Sequence, residues 1–186
     1  VLNPTYPIKT PRLLLRPFTM DDLDELYSFH SRPDVVRYLP WDARTYDGTR
    51  AALETKLGQA ALSAENGTFN IAVELRETGA LIGDIFLFWR SPEHRQGEIG
   101  FAFHPDYHGQ GLAFEASREI LRLGFDDLGL HRIYGRCDAR NDASARLMER
   151  LGMRREAHLV ENELFKGEWG DELIYAMLQR EWTPAA

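Results

Sequence analysis

The residues best able to do chemistry lie in one run, Gly100-Phe101-Ala102-Phe103-His104-Pro105-Asp106-Tyr107-His108-Gly109-Gln110-Gly111-Leu112-Ala113. A strand-forming stretch enters a loop with two glycines, and the loop opens directly into a helix-forming stretch. The first turn of a helix carries backbone N–H groups without internal partners and about half a positive charge. Glycines there let an anion approach the backbone, so the run has the form of a phosphate or pyrophosphate site. The same pattern also fits a plain turn, and locally both readings stand. A P-loop would need lysine and a hydroxyl after the glycine, where the sequence has Leu112 and Ala113. A dinucleotide fingerprint fares little better. Gly109-x-Gly111 is present and Asp138 ends the next strand, but Phe114 stands where the third glycine belongs and no second mononucleotide-binding half follows.

The elements that must position this run can be read from periodicity. Arg12 to Phe18 reads as an opening strand, and Thr19-Met20-Asp21-Asp22 as a capping box with a shorter acid before a helix through Leu23, Leu26 and Phe29. Asp47 caps a second predicted helix, with Leu53, Leu57, Ala60, Ala61 and Ala64 on one face and Asn66-Gly67 as its stop. Phe69–Arg76, Ala80–Arg90 and Gly97–Phe103 follow as a three-stranded meander. A helix over Gly111–Leu128, a strand over Ile133–Cys137 and a helix over Asn141–Leu151 come next. Two tail strands then turn at Lys166-Gly167-Glu168. This is an α+β pattern without repeats or linkers, so one domain is expected over residues 1–186.

Composition narrows the classes of function. A chain of 186 residues can bury roughly 70% of its unfolded surface, so no disulfide or metal staple is needed. One cysteine precludes an intramolecular disulfide and fits a reducing cytoplasm, the expected location. With 22 basic and 29 acidic residues the formal charge is −7, which disfavours sequence-independent duplex binding. No targeting segment opens the sequence at Val1-Leu2-Asn3-Pro4, and no apolar stretch approaches the roughly 20 residues of a membrane span, so no membrane partner is expected. The six histidines have no metal-site spacing, and no metal is expected.

His108-Gly109-Gln110-Gly111-Leu112-Ala113 resembles the Q/R-x-x-G-x-G/A coenzyme A signature of GNAT N-acetyltransferases. Glu98-Ile99-Gly100-Phe101, Gly109 to Ala116 and Asn141 to Met153 resemble the RimJ/RimL type of that family, as do Pro11 to Arg16 and Gly170 to Tyr175. The likeness runs through nearly the whole chain in the right order, departing at His108, which replaces glutamine or arginine.

The resemblance implies a GNAT fold: a mixed, mostly antiparallel twisted sheet of about seven strands, splayed at the acetyl-CoA site, with about four helices. It implies acetyl transfer from acetyl-CoA to a primary amine by direct attack in a ternary complex, in a monomer or homodimer. On that basis the backbone of Phe101, Ala102 and Phe103 pairs with the pantetheine arm, and a backbone N–H near Phe101 stabilises the oxyanion. His108, Gly109, Gln110, Gly111, Leu112 and Ala113 hold the pyrophosphate. Asn141 either contacts the coenzyme arm or caps its helix. Ser144 is placed to protonate the leaving thiolate. Many members use a tyrosine for this where Met148 stands, so Ser144, Tyr175 or water must act here.

The attacking amine must first be neutral. At pH 7 this costs about 1.4 kcal/mol for an α-amino group of pKa about 8, and about 4.6 kcal/mol for a lysine of about 10.4. An N-terminal acceptor therefore tolerates a weak base. Glu98 is the first candidate base, with an ion-pair role as the alternative, and His104 is a lesser one. Trp41 either lines the acceptor groove or anchors the core, and Tyr175 is a second expected substrate contact. Glu161, Glu163, Glu168, Asp171 and Glu172 make the tail acidic: a solvated face, or a surface for a cationic acceptor. Cys137 reads as a buried filler. An antibiotic or polyamine acetyltransferase and a non-catalytic acyl-CoA-binding module are the alternative functions.

Overall fold

A computed structural model describes residues 1–62 and 67–184. Eight strands form one sheet: β1 (Ile8–Lys9), β2 (Leu13–Arg16), β3 (Thr68–Leu75), β4 (Leu81–Ser91), β5 (Gln96–Phe103), β6 (Arg132–Asp138), β7 (Arg154–Phe165) and β8 (Glu168–Leu178), in the order β1-β2-β3-β4-β5-β6-β8-β7. Every neighbouring pair is antiparallel except β5 and β6. The eighth strand beyond the expected seven is β1, only two residues long. Five α-helices are described: α1 (Leu23–His30), α2 (Pro33–Val36), α3 (Tyr46–Leu57), α4 (Leu112–Arg122) and α5 (Asp142–Arg150). The helix beyond the expected four is the single turn α2, opened by its proline.

Alternation along the strands divides the interior between two faces. Ile71, Ile85, Leu87, Ile99 and Phe103 enter one cluster with Leu112, Ala116 and Ile120 of α4. Ala72 and Leu81 pack with Leu23, Leu26 and Phe29 of α1 and Leu53 of α3 on the other. Each fully buried Leu, Ile or Phe contributes about 1.5–3 kcal/mol. Beneath α3 the polar residue Asp84 is buried, with its carboxylate 2.6 Å from Lys56 Nζ and 3.6 Å from His30 Nε2.

Several boundaries differ from expectation. The cap of α3 is Thr45, whose hydroxyl accepts the Gly48 N–H at 3.1 Å, and Asp47 sits inside the first turn. The helix ends at Leu57, with Gly58 following, so Ala60 and Ala61 lie beyond it; Ala64 and Asn66 are outside the described residues. After Arg122, α4 widens into a π turn over Leu123–Asp127, in which the Leu128 N–H reaches back to the Leu123 carbonyl. The expected meander and the tail hairpin are present, the latter turning through Lys166 and Gly167, both at positive φ. No helix among the described residues is long and apolar enough to cross a membrane.

Candidate active site

β5 and β6 pair only at Gln96–Arg132, Gly97–Ile133 and Glu98–Tyr134. Beyond that point β5 stays with β4 as far as Phe103, while β6 stays with β8 as far as Asp138. The sheet therefore opens into a V whose apex is Glu98. A cleft of about 270 Å³ occupies it, lined by Phe86, Phe88, Arg90, Glu98, Gly100 and Phe101 on one side and by Arg136, Cys137, Asp138, Asn141, Ser144 and Met148 on the other. Gly100 is required for this packing: a Cβ there would lie 1.9 Å from the Phe86 ring.

The strand edge facing the opening is free in part. The His104 N–H donates to the Ile82 carbonyl at 2.8 Å, and antiparallel alternation turns the backbone groups of Ala102 and Gly100 toward β4. Those of Phe101 and Phe103 point into the V. Ala102, expected to offer its backbone to the coenzyme, is thus committed to β4. The Phe103 carbonyl accepts from His108 Nε2 at 3.0 Å, leaving Phe101 with both groups, and Phe103 with its N–H, without a partner among the described residues. This contact ties the loop to the strand.

Below the V the loop turns into α4. Gly109 and Gly111 have φ of +73° and +78°, a region L side chains rarely adopt, and Gly111 is the N-cap and so supplies no capping side chain. The first intrahelical bond runs from the Glu115 N–H to the Gly111 carbonyl. The six consecutive N–H groups from Gly109 to Phe114 have no protein acceptor among the described residues. A row of orphan donors at the positive end of a helix is an anion cradle, and its residues include the predicted Gly109, Gln110, Gly111, Leu112 and Ala113.

Across the cleft, Asn141 caps α5 by accepting the Ser144 N–H at 3.2 Å, while its side-chain amide keeps its donors for the cleft. The Ser144 hydroxyl has no partner among the described residues. Met148 is buried, with its sulfur 2.7 Å from where a Gly135 Cβ would stand. Burial pushes the Cys137 thiol up to about 12, so it stays protonated and is no nucleophile.

The face opposite α4 carries a chain of charges. Glu98 accepts from Arg90 Nε at 2.7 Å, the Tyr134 hydroxyl at 3.2 Å and Arg136 Nε at 3.1 Å. Arg136 continues to Glu172 at 3.3 Å. Both oxygens of Glu98 are therefore engaged. Glu172 is also buried, one of its oxygens is unbonded among the described residues, and burial raises its carboxyl above the usual range although Arg136 opposes this. Its sequence signal was only one acid in an acidic tail.

Trp41 lines the cleft with Tyr38, its ring beneath the Arg44 guanidinium at 4.7 Å. Lys166, at the β7–β8 turn, donates to the carbonyls of Val36 and Trp41 at 2.7 and 2.8 Å and so closes this wall. Tyr175 does not join the site. It faces α5, is buried, and donates its hydroxyl to Glu149 at 2.9 Å. Leu173, Tyr175 and Met177 of β8 enter the core cluster, and it is Gly170, Asp171 and Glu172 that reach the cleft. His104 is likewise outside, its Nδ1 accepting the Asp106 N–H at 3.2 Å.

Residues 12–154 match the acetyltransferase (GNAT) domain family. The chain is 37% identical over 176 residues to the uncharacterized N-acetyltransferase YnaD of Bacillus subtilis, covering 95% of this chain and 99% of that protein. Among solved structures, a GNAT-family acetyltransferase from Bacillus anthracis superposes with a TM-score of 0.83 at 35% identity, covering 93% of this chain and 98% of that one. Spermidine N-acetyltransferase of Vibrio cholerae, solved with CoA and spermine, shares the fold at a TM-score of 0.78 and 24% identity, covering 92% of this chain and 97% of that one.

Proposed function

The chain belongs to the acetyltransferase (GNAT) family and is an acyltransferase, and from that premise we propose that it is a RimJ/RimL-type enzyme acetylating a protein or peptide N-terminal α-amino group. The observation that carries the coenzyme assignment is the row of six orphan N–H groups, Gly109 to Phe114, beside a strand edge left open at Phe101. The row suits a pyrophosphate, and the edge suits the amides of a pantetheine arm, which need partners once they leave water. Bound there, acetyl-CoA supplies an acetyl group activated as a thioester.

The chain's own groups then have separate tasks. The Phe101 N–H lies in the V, placed to stabilise negative charge on the acetyl oxygen. As the C–N bond forms and the C–S bond breaks, Ser144, with its hydroxyl uncommitted among the described residues, hydrogen-bonds the departing sulfur and relays to it a proton given up by the attacking nitrogen. A carboxylate at the apex relieves the amine of its proton, and Glu98 is the sequence's choice for it. Trp41 and Tyr38 wall the acceptor side.

The acceptor is an amine because the cleft is polar and acidic at that end. Five carboxylates, Glu98, Asp138, Glu163, Asp171 and Glu172, line it against two guanidiniums, Arg90 and Arg136. An α-amine needs only a weak base, which agrees with a Glu98 already committed to three donors. The same acidity supports a second reading, a polyamine acceptor. Thiol release from acetyl-CoA over a panel separates the two. Peptides with a free N-terminus should support turnover, and the same peptides blocked at the N-terminus should not. Turnover of spermidine alone would transfer the assignment to polyamines, and CoA binding without release for any amine would reduce the protein to a binding module.

A further inference from the structure

Glu115 presents a puzzle that rests on the coenzyme reading above: a carboxylate stands on the first turn of the helix whose N-terminus would hold phosphates. Left alone it would repel them. It is not alone. Its Oε1 accepts the Thr10 hydroxyl at 2.5 Å and the Arg12 N–H at 2.8 Å, and its Oε2 accepts Arg12 Nε at 2.8 Å. Although burial opposes it, these bonds hold the Glu115 carboxyl below the usual range.

The guanidinium thus anchored is aimed at the phosphate loop. Arg12 Nη1 donates to the Gln110 carbonyl at 2.8 Å, tying the loop from outside. Its Nη2 lies 3.5 Å from where a Gly111 Cβ would be and has no hydrogen-bond partner among the described residues. About half of the Arg12 side chain is open to solvent, whereas Glu115 is largely covered.

We propose that Arg12 is a coenzyme-binding residue, fixed by Glu115 and Thr10 so that its free Nη2 donates to a phosphate of acetyl-CoA at Gly111. The carboxylate on α4 is then explained: it recruits and orients a cation from the segment before β2, and the pair presents the positive end to the ligand. Lysine cannot replace this arrangement. Its single ammonium cannot hold Glu115 and the Gln110 carbonyl together and still point a donor at Gly111.

The test is titration of CoA itself, which needs no acceptor, by calorimetry at several salt concentrations. Arg12→Ala should raise the Kd about tenfold or more and make its salt dependence shallower, because one charge at the phosphates is gone. Arg12→Lys should fall between, with the salt dependence kept. A CoA affinity within twofold of wild type in Arg12→Ala would overturn the proposal. So would a weaker affinity with unchanged salt dependence, which marks a residue that only shapes the loop. If Arg12→Ala fails to fold, Arg12→Lys carries the test, and wild-type affinity there overturns it. Wild-type protein that binds no CoA would instead overturn the coenzyme assignment.

Discussion

Replacing Glu98 by Gln separates proton transfer from architecture, and the structure sets what each should cost. Glu98 is buried, but its partners Arg90 and Arg136 are nearly half exposed, so water can take over much of what they lose. Arg136 also keeps Glu172. Glutamine retains one acceptor oxygen for Tyr134 or a guanidinium. The stability loss should therefore be modest, about 1–2 kcal/mol, since hydrogen bonds to charged groups contribute about 1.5–3 kcal/mol and solvent screening offsets part of it. For a domain this size that is a fall in Tm of about 2–8 °C. The catalytic effect should be larger and depend on pH. Loss of a general base typically costs about 10²–10⁴ in rate. Below the amine's own pKa, about 8 for an α-amino group, kcat/KM of Glu98→Gln should rise roughly tenfold per pH unit, and above it the deficit should shrink. The assay is the pH profile of thiol release with a free-N-terminal peptide, beside a melting curve. A loss of equal size from pH 6 to pH 10 would refute the reasoning, and would leave Glu98 as the anchor of Arg90 and Arg136. The three donors already on its oxygens make that a real contest: to take a proton it must release at least one of them. Glu172→Gln, measured in parallel, then shows whether the second carboxylate of the chain carries the acid limb.

Two further outcomes follow from buried and bridging lysines. Asp84 is buried, which raises its carboxyl, but the Lys56 ammonium, with His30 beside it, outweighs this and holds it well below the usual range. Its stabilisation is therefore present above the unfolded value of about 3.9 and lost as pH falls through the lower folded value. Asp84→Asn should cost about 3–5 kcal/mol at neutral pH by stranding Lys56, and should flatten the acid side of a Tm-against-pH curve; an unchanged Tm at pH 7 would sink the pairing. Lys166→Met should raise the acceptor KM several-fold and leave CoA affinity untouched, because Lys166 braces the Val36–Asp42 wall. An equal rise in both constants would show that this wall is not confined to the acceptor side.

The sequence was legible where function resides in the backbone. Two glycines ahead of a helix pointed to a loop with open N–H groups, and Gly109 and Gly111 precede α4 there, both at positive φ. The meander was legible because alternation is local. What stayed hidden depends on register between distant segments. Which of Phe101, Ala102 and Phe103 faces the opening is set by β4 pairing, through Asp84–Ala102 and its neighbours, and no feature of the three residues shows it. The same parity turned Tyr175 to α5 and Glu172 to the cleft. Arg12 meets Glu115 across 103 positions of sequence, and each alone looks like a surface charge. At α3 the expected cap Asp47 lies two residues inside the one observed, Thr45.

The coenzyme side of the cleft follows from one topological feature. β5, α4 and β6 form the sheet's single parallel connection, and parallel strands need a crossover between them, here α4. Because pairing stops after three residues, the crossover helix starts beside a strand edge that no neighbour covers. Orphan helix donors and orphan strand groups then face the same space, so a ligand with both an anion and a chain of amides can satisfy both. Most of that surface is backbone, with the Arg12 side chain as its proposed addition, which is why so few residue types are needed to specify it. The acceptor wall is the reverse. Tyr38 and Trp41 come from the loop after α2, Glu163 and Phe165 from β7, Glu172 from β8 and Arg90 from β4. None of these side chains is needed to keep the V open, since Gly100 and Phe86 and the strand pairing do that. On the proposed reading, acceptor specificity can therefore change by substitution on four separate elements while the coenzyme site stays as it is. A domain-wide property such as net charge records neither half, because one depends on a helix terminus and the other on five carboxylates gathered from β5, β6, β7 and β8.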